Sequence, residues 1–378
     1  MVDLTFLFSK LKDIGLNFYT GVPDSLLNDF CLHLANNIPN NKHIMAANEG
    51  NAISIAAGYH MATNEIPIVY MQNSGIGNAM NPLLSLADTN VYSIPMILLI
   101  GWRGDPSIID HCQHKRQGEL TTKLMDDMEI PYQIIDNEDD VIEKFIWAKE
   151  NARETLSPTA LIVKKNILSQ KGKKQYYIPD YKMSREEVIS CVINIFKDKA
   201  IYLATTGRTT RELHEQISIN GLSHNLEFLN VGAMGHLSSI GLGIAVANPH
   251  KRIIIFDGDA AAVMHMGSLA TNCRYKARNM IHIVLNNGVN ESVGGQESAG
   301  RIINLTGIAN ACGYNTPTSH IDTKDELQQY IYSLNCKTNM PAFIDVHIRQ
   351  GIRPDLPPLK IDHINNKKNF MLHLMEQD

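Results

Sequence analysis

The sequence predicts an α/β protein made of two doubly wound parallel-sheet domains. Three observations carry this. Short apolar runs of strand length, among them Ile94–Ile100, Thr159–Val163 and Arg252–Phe256, alternate with longer stretches of helical period. The alternation breaks at Lys164–Lys182, a lysine-rich run with Gly172 and Pro179 and no apolar period, and then resumes. The length of 378 residues suits two domains of ordinary size. We therefore expect one domain over residues 1–170, a linker over 171–183, and a second domain with a C-terminal tail over 184–378.

The elements follow in order. Leu4, Leu7, Phe8, Leu11 and Ile14 lie at helical spacing and predict an amphipathic first helix. Asn17–Thr20 reads as a short strand, after which Asp24 or Ser25 is placed to cap a helix. Met45–Ala62 has Glu49 near its start and the small residues Ala52, Ala56, Ala57 and Gly58, which permit close helix packing. Ile66–Gln72 is an apolar strand, and Asn73–Asn78 a turn that feeds a helix. Ile94–Ile100, Ile130–Ile135 and Thr159–Val163 complete the first set of strands, with a loop carrying Arg103 and the cluster His111, His114, Lys115, Arg116. Beyond the linker, Ser184 and Glu187 form a capping box. Strands are expected at Ile201–Ala204, Phe228–Val231, Arg252–Phe256, Ile281–Leu285 and Ala342–Ile348, with a last helix near Phe370.

Composition excludes several classes. Apolar residues make up 44% and charged residues 19%, the profile of a globular chain with ample core. A net charge of −5 gives no reason to propose nucleic acid or a membrane surface as a partner. Asp3 and the helical spacing that follows argue against a signal peptide, and no apolar run approaches the roughly 20 residues needed to span a bilayer. Cys31, Cys112, Cys191, Cys273, Cys312 and Cys336 are scattered with no C-x-x-C pair, which fits a reducing, cytoplasmic setting rather than a zinc or disulfide framework.

The chemistry concentrates between Ile253 and Gly288. A buried strand ends in Gly258-Asp259-Ala260-Ala261, a helical run follows, and a second strand ends in Asn286-Asn287-Gly288. In a strand–helix–strand unit both Asp259 and Asn286 fall at the carboxyl ends of neighbouring parallel strands, where open α/β sheets bind ligands. A carboxylate and an amide oxygen there suit Mg²⁺, and an adjacent helix start suits a phosphate. Gly-Asp alone would serve equally well as an acidic turn. The pairing with Asn286 and the intervening unit raise it to a metal and diphosphate site.

This pattern resembles the thiamine diphosphate signature, a Gly-Asp-Gly followed by Asn, with Ala260 in place of the third glycine. The resemblance implies that Asp259, Asn286 and the carbonyl of Gly288 hold Mg²⁺ and so anchor the cofactor's diphosphate. It also implies a carboxylate facing the aminopyrimidine ring from the other domain, and Asn48-Glu49-Gly50-Asn51 matches that element. A lone glutamate at a helix start otherwise serves the helix dipole. Glu49, protonated and buried, would favour the imino tautomer of the ring and so activate the cofactor. Met234, within Gly232-Ala233-Met234-Gly235, stands where such enzymes place a bulky residue under the bent cofactor, although a core methionine would look the same. The resemblance further implies that Gln72, Asn73, Thr206 and Gly207 contact the cofactor.

The likeness extends over nearly the whole chain. Gly21–Leu27, Asn48–Asn51, Gln72–Gly75, Gly101–Gly104, Thr205–Gly207, Gly232–His236 and Ser292–Gln296 together resemble the phosphonopyruvate and sulfopyruvate decarboxylase family. Two domains in one chain and no room for a middle domain favour the phosphonate member. The implied reaction is loss of CO₂ from 3-phosphonopyruvate to give phosphonoacetaldehyde, in phosphonate biosynthesis. Sulfopyruvate decarboxylation is the nearest alternative. A thiamine diphosphate synthase and a decayed diphosphate-binding module are more distant ones, and retention of Glu49 speaks against the last. A substrate with two anionic ends needs cations and donors, for which Arg103, Ser25, His114, Ser292 and Gln296 are candidates, with His236 as a proton relay. His111–Arg116 would look no different as a solvated loop face. In this family the active site is shared between subunits, so self-association is expected.

Overall fold

The computed structural model describes residues 2–168, 181–334 and 340–376. Residues 171–180 of the expected linker lie outside the described residues. The chain divides into two compact units, Met1–Gln175 with Val293–Gln296, and Tyr176–Ser292 with Glu297–Asp378.

The first unit is a six-stranded parallel sheet. Its strands are β1 (Tyr19–Gly21), β2 (His43–Met45), β3 (Ile68–Gln72), β4 (Met96–Gly101), β5 (Tyr132–Ile135) and β6 (Pro158–Val163), in the order β2-β1-β3-β4-β6-β5. Its helices are α1 (Leu4–Asp13), α2 (Asn28–Asn37), α3 (Glu49–Thr63), α4 (Ile76–Pro82), α5 (Cys112–Asp127) and α6 (Val141–Thr155). The period-two geometry of a strand explains the unbroken apolar runs. Tyr70, Ile97, Leu99, Leu161 and Val163 enter one core with α1, α2 and α6. Their neighbours Val69, Met71, Leu98, Ile100, Ala160 and Ile162 enter a second core with α3 and α4. Both faces of the sheet are thus covered, as a parallel sheet requires.

Two expectations need correction here. Neither Asp24 nor Ser25 caps α2, whose N-cap is Leu27 with no side-chain bond. Asp24 is instead fully buried and accepts from Gln72 Nε2 at 2.7 Å. Nor do His114, Lys115 and Arg116 lie on a loop, because α5 begins at Cys112. On that helix Gly118 packs directly against the backbone of Gly104, a contact that no side chain would allow. β2 is a strand that sequence reading passed over, a three-residue segment with only His43 buried; the short strands Val289–Asn290 and Gln296–Glu297 were passed over as well.

The second unit is a five-stranded parallel sheet of β7 (Ala200–Ala204), β8 (Glu227–Leu229), β9 (Arg252–Gly258), β10 (Met280–Asn286) and β11 (Ala342–His347). The order is β11-β10-β9-β7-β8, so β8 is an edge. Around it lie α7 (Arg185–Phe196), α8 (Arg208–Ile219), α9 (Leu237–Ala247), α10 (Asp259–Met264), α11 (Ser268–Arg274), α12 (Leu305–Cys312), α13 (Lys324–Ser333) and α14 (His363–Met375). The Ser184–Glu187 capping box opens α7 with both reciprocal bonds formed. One core unites these elements, built on Ile253–Phe256, Ile281–Leu285 and Phe343–Val346.

Candidate functional site

In the second unit the strand ends converge as expected. Asp259 begins α10 directly after β9, and Asn286 closes β10 one strand away. Both are buried. Burial pushes the Asp259 carboxyl up to about 6, against a hydrogen bond from Ser298 Oγ that lowers it. Asn286 Nδ2 donates to Gly300 O at 2.9 Å and to Asp345 Oδ1 at 3.1 Å, which fixes the amide and leaves its oxygen facing Gly288 N at 3.1 Å. Gly288 has φ +69°, a left-handed conformation that suits glycine, and any Cβ there would run into Arg301. Gly300 is needed for space, since a Cβ on it would meet the Asp259 carboxyl.

Does this corner fit Mg²⁺ and a diphosphate? The donor set is a carboxylate, an amide oxygen and a backbone carbonyl, all hard oxygen ligands. A pocket of about 100 Å³ opens beside it, lined by Thr205–Thr209, Gly258–Ala261, Met234, Asn287, Val289–Ser292 and Arg185. Thr205 Oγ1 is buried there with no hydrogen-bond partner among the described residues, a donor awaiting an acceptor. The N-terminus of the twelve-residue α8 faces the pocket through Gly207 and Arg208. Backbone N–H groups at a helix start and a guanidinium favour an anion. The residues fit the group.

Met234 lines this pocket between Ala233 at φ +48° and Gly235 at φ +82°. A non-glycine residue held left-handed marks local strain of the kind kept at functional sites. His236 follows, exposed, with Nδ1 3.1 Å from Met234 O and its ring 4.3 Å from that of His265. Ala260, in the third-glycine place, lines the pocket without obstructing it, as do Thr206, Gly258, Ala261 and Ser292. Gly232 lies in a bend outside that lining, and Gln296 is buried with both amide atoms unpartnered among the described residues.

The first unit sets Glu49 at the start of α3. Asn48 caps that helix by accepting from Asn51 N at 2.9 Å. Glu49 is buried, and Asn78 Nδ2 donates to its Oε2 at 2.7 Å. Gly75 lies against the same carboxyl so closely that a Cβ would collide with it. Gln72 is tied at both ends of its amide, Nε2 to Asp24 and Oε1 to Ser74 Oγ. Asn73 braces two loops, donating to Arg103 O and Thr121 Oγ1 and accepting from Arg103 N.

Arg103, expected as an anion clamp, already holds a carboxylate. Its Nε and Nη2 form a bidentate pair with Asp110 at 2.7 and 2.6 Å, and Nη1 donates to Ser25 Oγ at 2.8 Å. The guanidinium holds the Asp110 carboxyl well below the usual carboxylate range. Burial, with Arg103 beside it, lowers His114 to about 4, so its ring is neutral near pH 7. Burial also raises Asp24, whose Oδ2 has no partner among the described residues.

Sequence reasoning missed Arg185, Arg208, Glu291, Ser298 and Asn78 as site residues. Glu291 gathers the first two, Arg185 Nη2 at 2.6 Å and Arg208 Nη1 at 3.0 Å, at the mouth of the pocket. Arg208 was findable, since it follows Thr-Thr-Gly at a helix start. Glu291 and Ser298 carry no local signal, because their partners are distant in sequence.

Residues 4–129 match the thiamine pyrophosphate enzyme N-terminal TPP binding domain, and residues 205–346 the C-terminal TPP binding domain. The chain is 28% identical to a phosphonopyruvate decarboxylase of Streptomyces viridochromogenes, covering 96% of this chain and 93% of that one. It is 27% identical to a sulfopyruvate decarboxylase of Methanosarcina acetivorans, covering 90% of each. It is 37% identical over 125 residues to sulfopyruvate decarboxylase subunit alpha of Methanocaldococcus jannaschii, covering 33% of this chain and 71% of that subunit.

The chain belongs to the thiamine diphosphate-dependent enzymes, with thiamine diphosphate and Mg²⁺ as its cofactors. Within them it is a decarboxylase of the phosphonopyruvate and sulfopyruvate type.

Proposed function

We propose that this protein decarboxylates 3-phosphonopyruvate to phosphonoacetaldehyde and CO₂, in the biosynthesis of 2-aminoethylphosphonate-type compounds. The observation that carries this reading is the alignment of both domains, in a single chain, with a phosphonopyruvate decarboxylase over 96% of this sequence. Thiamine diphosphate, when bound, supplies the electron sink for the departing CO₂. This chain's residues do the rest. Asp259, Asn286 and the Gly288 carbonyl hold Mg²⁺, while Thr206, Gly207, Arg208 and the orphan hydroxyl of Thr205 receive the diphosphate. Glu49 would hold the proton that the cofactor's pyrimidine ring needs, and Asn78 fixes that carboxyl in one orientation. Met234 would support the cofactor, Gly232, Gly258, Ala260 and Ala261 would let the backbone come close to it, and Gln72 and Asn73 would brace its pyrimidine ring.

For the substrate, Arg103 and Ser25 offer a guanidinium and a hydroxyl already paired at 2.8 Å, to which one anionic end binds. His114 stays neutral and donates or accepts a hydrogen bond, Ser292 and Gln296 close over the other end, and His236 carries a proton to product. The protein self-associates, with Glu49 of one subunit serving the diphosphate pocket of another. Mixing inactive Glu49→Gln with inactive Asp259→Ala would then restore part of the activity, and no recovery would contradict the shared site. Among the described residues no helix is long and apolar enough to cross a membrane, and the described cysteines are free, in keeping with a cytoplasmic enzyme.

A second reading, sulfopyruvate decarboxylation, rests on the match to the Methanosarcina enzyme over 90% of each chain. CO₂ release with thiamine diphosphate and Mg²⁺ decides between them. We expect phosphonopyruvate to be used with the highest kcat/KM, above sulfopyruvate and pyruvate. A preference for sulfopyruvate transfers the enzyme to the second reading, and turnover of neither would refute both.

A further inference from the structure

A second cluster of ligating side chains lies at the far end of the second sheet. His214 is in α8, His224 opens the short turn His224–Leu226, and Glu227 is the first residue of β8. The sheet is parallel and the diphosphate pocket occupies the carboxyl ends of its strands, so the amino end of β8 faces away from it. Both imidazoles turn Nδ1 to the same carboxylate oxygen, His214 at 2.5 Å and His224 at 2.7 Å from Glu227 Oε1. The rings lie 4.1 Å apart at 31°. Glu227 is wholly buried, and its Oε2 has no hydrogen-bond partner among the described residues. The histidine side chains are 30% and 41% exposed, while the carboxylate on which they converge is buried.

Proton counting sharpens this. Ser218 Oγ lies 3.2 Å from His214 O and 3.0 Å from His224 Nε2. The hydroxyl has one proton, which goes to the carbonyl, so its oxygen accepts from His224 Nε2–H. With Nε2–H given to Ser218, His224 meets the carboxylate through Nδ1 either with a second proton, a bond that raises its pKa, or with a cation in that proton's place. Such a convergence asks for a positive centre between the groups. We propose that His214 Nδ1, His224 Nδ1 and the Glu227 carboxylate form a binding site for a divalent transition-metal ion, with Zn²⁺ the best fit. Two imidazoles and a carboxylate are a common zinc ligand set, and solvent supplies the fourth position. Ser218 orients His224 as an outer partner of the kind that metal-bound histidines keep. The ion ties the edge strand β8 to α8 and has no part in the decarboxylation. The other such cluster among the described residues, His320, Asp322 and His347, is a weaker match, because its two rings are stacked face to face at 3.7 Å and Asp322 is 45% exposed.

The test uses the full chain with thiamine diphosphate and Mg²⁺ saturating, dialysed against buffered Zn²⁺ and analysed for metal content. We expect about one zinc ion per chain, lost in His214→Gln/His224→Gln and retained in His320→Gln/His347→Gln. Unchanged zinc in the first variant, or loss only in the second, overturns the site. X-ray absorption of the zinc-loaded unmutated protein guards against misfolding of variants. Scattering from two imidazoles supports the assignment, whereas sulfur ligation or no histidine scattering overturns it.

Discussion

Asn78 Nδ2 donates to Glu49 Oε2 at 2.7 Å, so an amide from α4 holds the carboxyl at the start of α3. The bond crosses 29 residues of sequence, and it leaves the other carboxyl oxygen, Oε1, as the one facing Gly75. A catalytic carboxyl that must exchange a proton with one ring nitrogen benefits from a single orientation.

Asn78→Ala should therefore lower kcat by about tenfold, the loss of one hydrogen bond to an ionisable group at ~1.5 kcal/mol, while leaving cofactor affinity near that of the unmutated protein. Steady-state kinetics beside a cofactor titration separates the two. An unchanged kcat would remove Asn78 from the mechanism.

Asp259→Ala should abolish Mg²⁺-dependent cofactor binding while keeping the fold, since the residue sits at a strand end rather than in the apolar core. Gly300→Ala should weaken the same binding by pushing a methyl group into the Asp259 carboxyl. Calorimetric titration of thiamine diphosphate with and without Mg²⁺ measures both, and equal affinity under the two conditions would count against the metal role.

Most of the fold was legible because parallel strands buried on two faces read as unbroken apolar runs, as Ile97–Ile100 and Ile253–Phe256 do. The position of Asp259 and Asn286 at neighbouring strand ends was legible because the strands and the helical run between them lie close in sequence. What stayed hidden depends on contacts distant in sequence. Asp24 looked like a helix cap because local chemistry allows it, but Gln72, 48 residues on, claims its carboxylate. Arg103 looked like a free cation because nothing nearby in the pattern marks Asp110, seven residues later, as its partner. The packing of α5 was hidden for a third reason: Gly118 meets Gly104 backbone to backbone, which no hydrophobic pattern records.

Arg103→Ala should raise KM for phosphonopyruvate, and Asp110→Asn should change it less, because the guanidinium remains in place beside Ser25. Initial-rate measurements over a range of substrate concentrations check this. If KM stays put in Arg103→Ala, the anion is held elsewhere.

His43 is buried against Tyr70, with Nε2 2.8 Å from the phenol oxygen, and burial lowers its pKa from 6.5 to about 4. Unfolded, the same ring binds a proton below its ordinary pKa of 6.5, so between those values the unfolded chain holds more protons than the folded one. The contribution of His43 to the stability of the first unit is therefore full above pH 6.5 and is lost as pH drops toward 4. The protein's two tryptophans, Trp102 and Trp147, both lie in this unit, so their fluorescence in urea reports it selectively. The midpoint should drop between pH 7.5 and 5, and by less in His43→Phe; equal drops would show that other groups govern the acid limb.

The measurement closest to the centre of this account is the rate of CO₂ release by Glu49→Gln at saturating thiamine diphosphate, Mg²⁺ and phosphonopyruvate. The substitution keeps the shape of the side chain and removes its ability to exchange a proton. We predict cofactor binding close to that of the unmutated protein and a loss of at least about a hundredfold in kcat. Turnover at the unmutated rate would contradict the assignment of Glu49 and, with it, the proposed division of labour between the two domains.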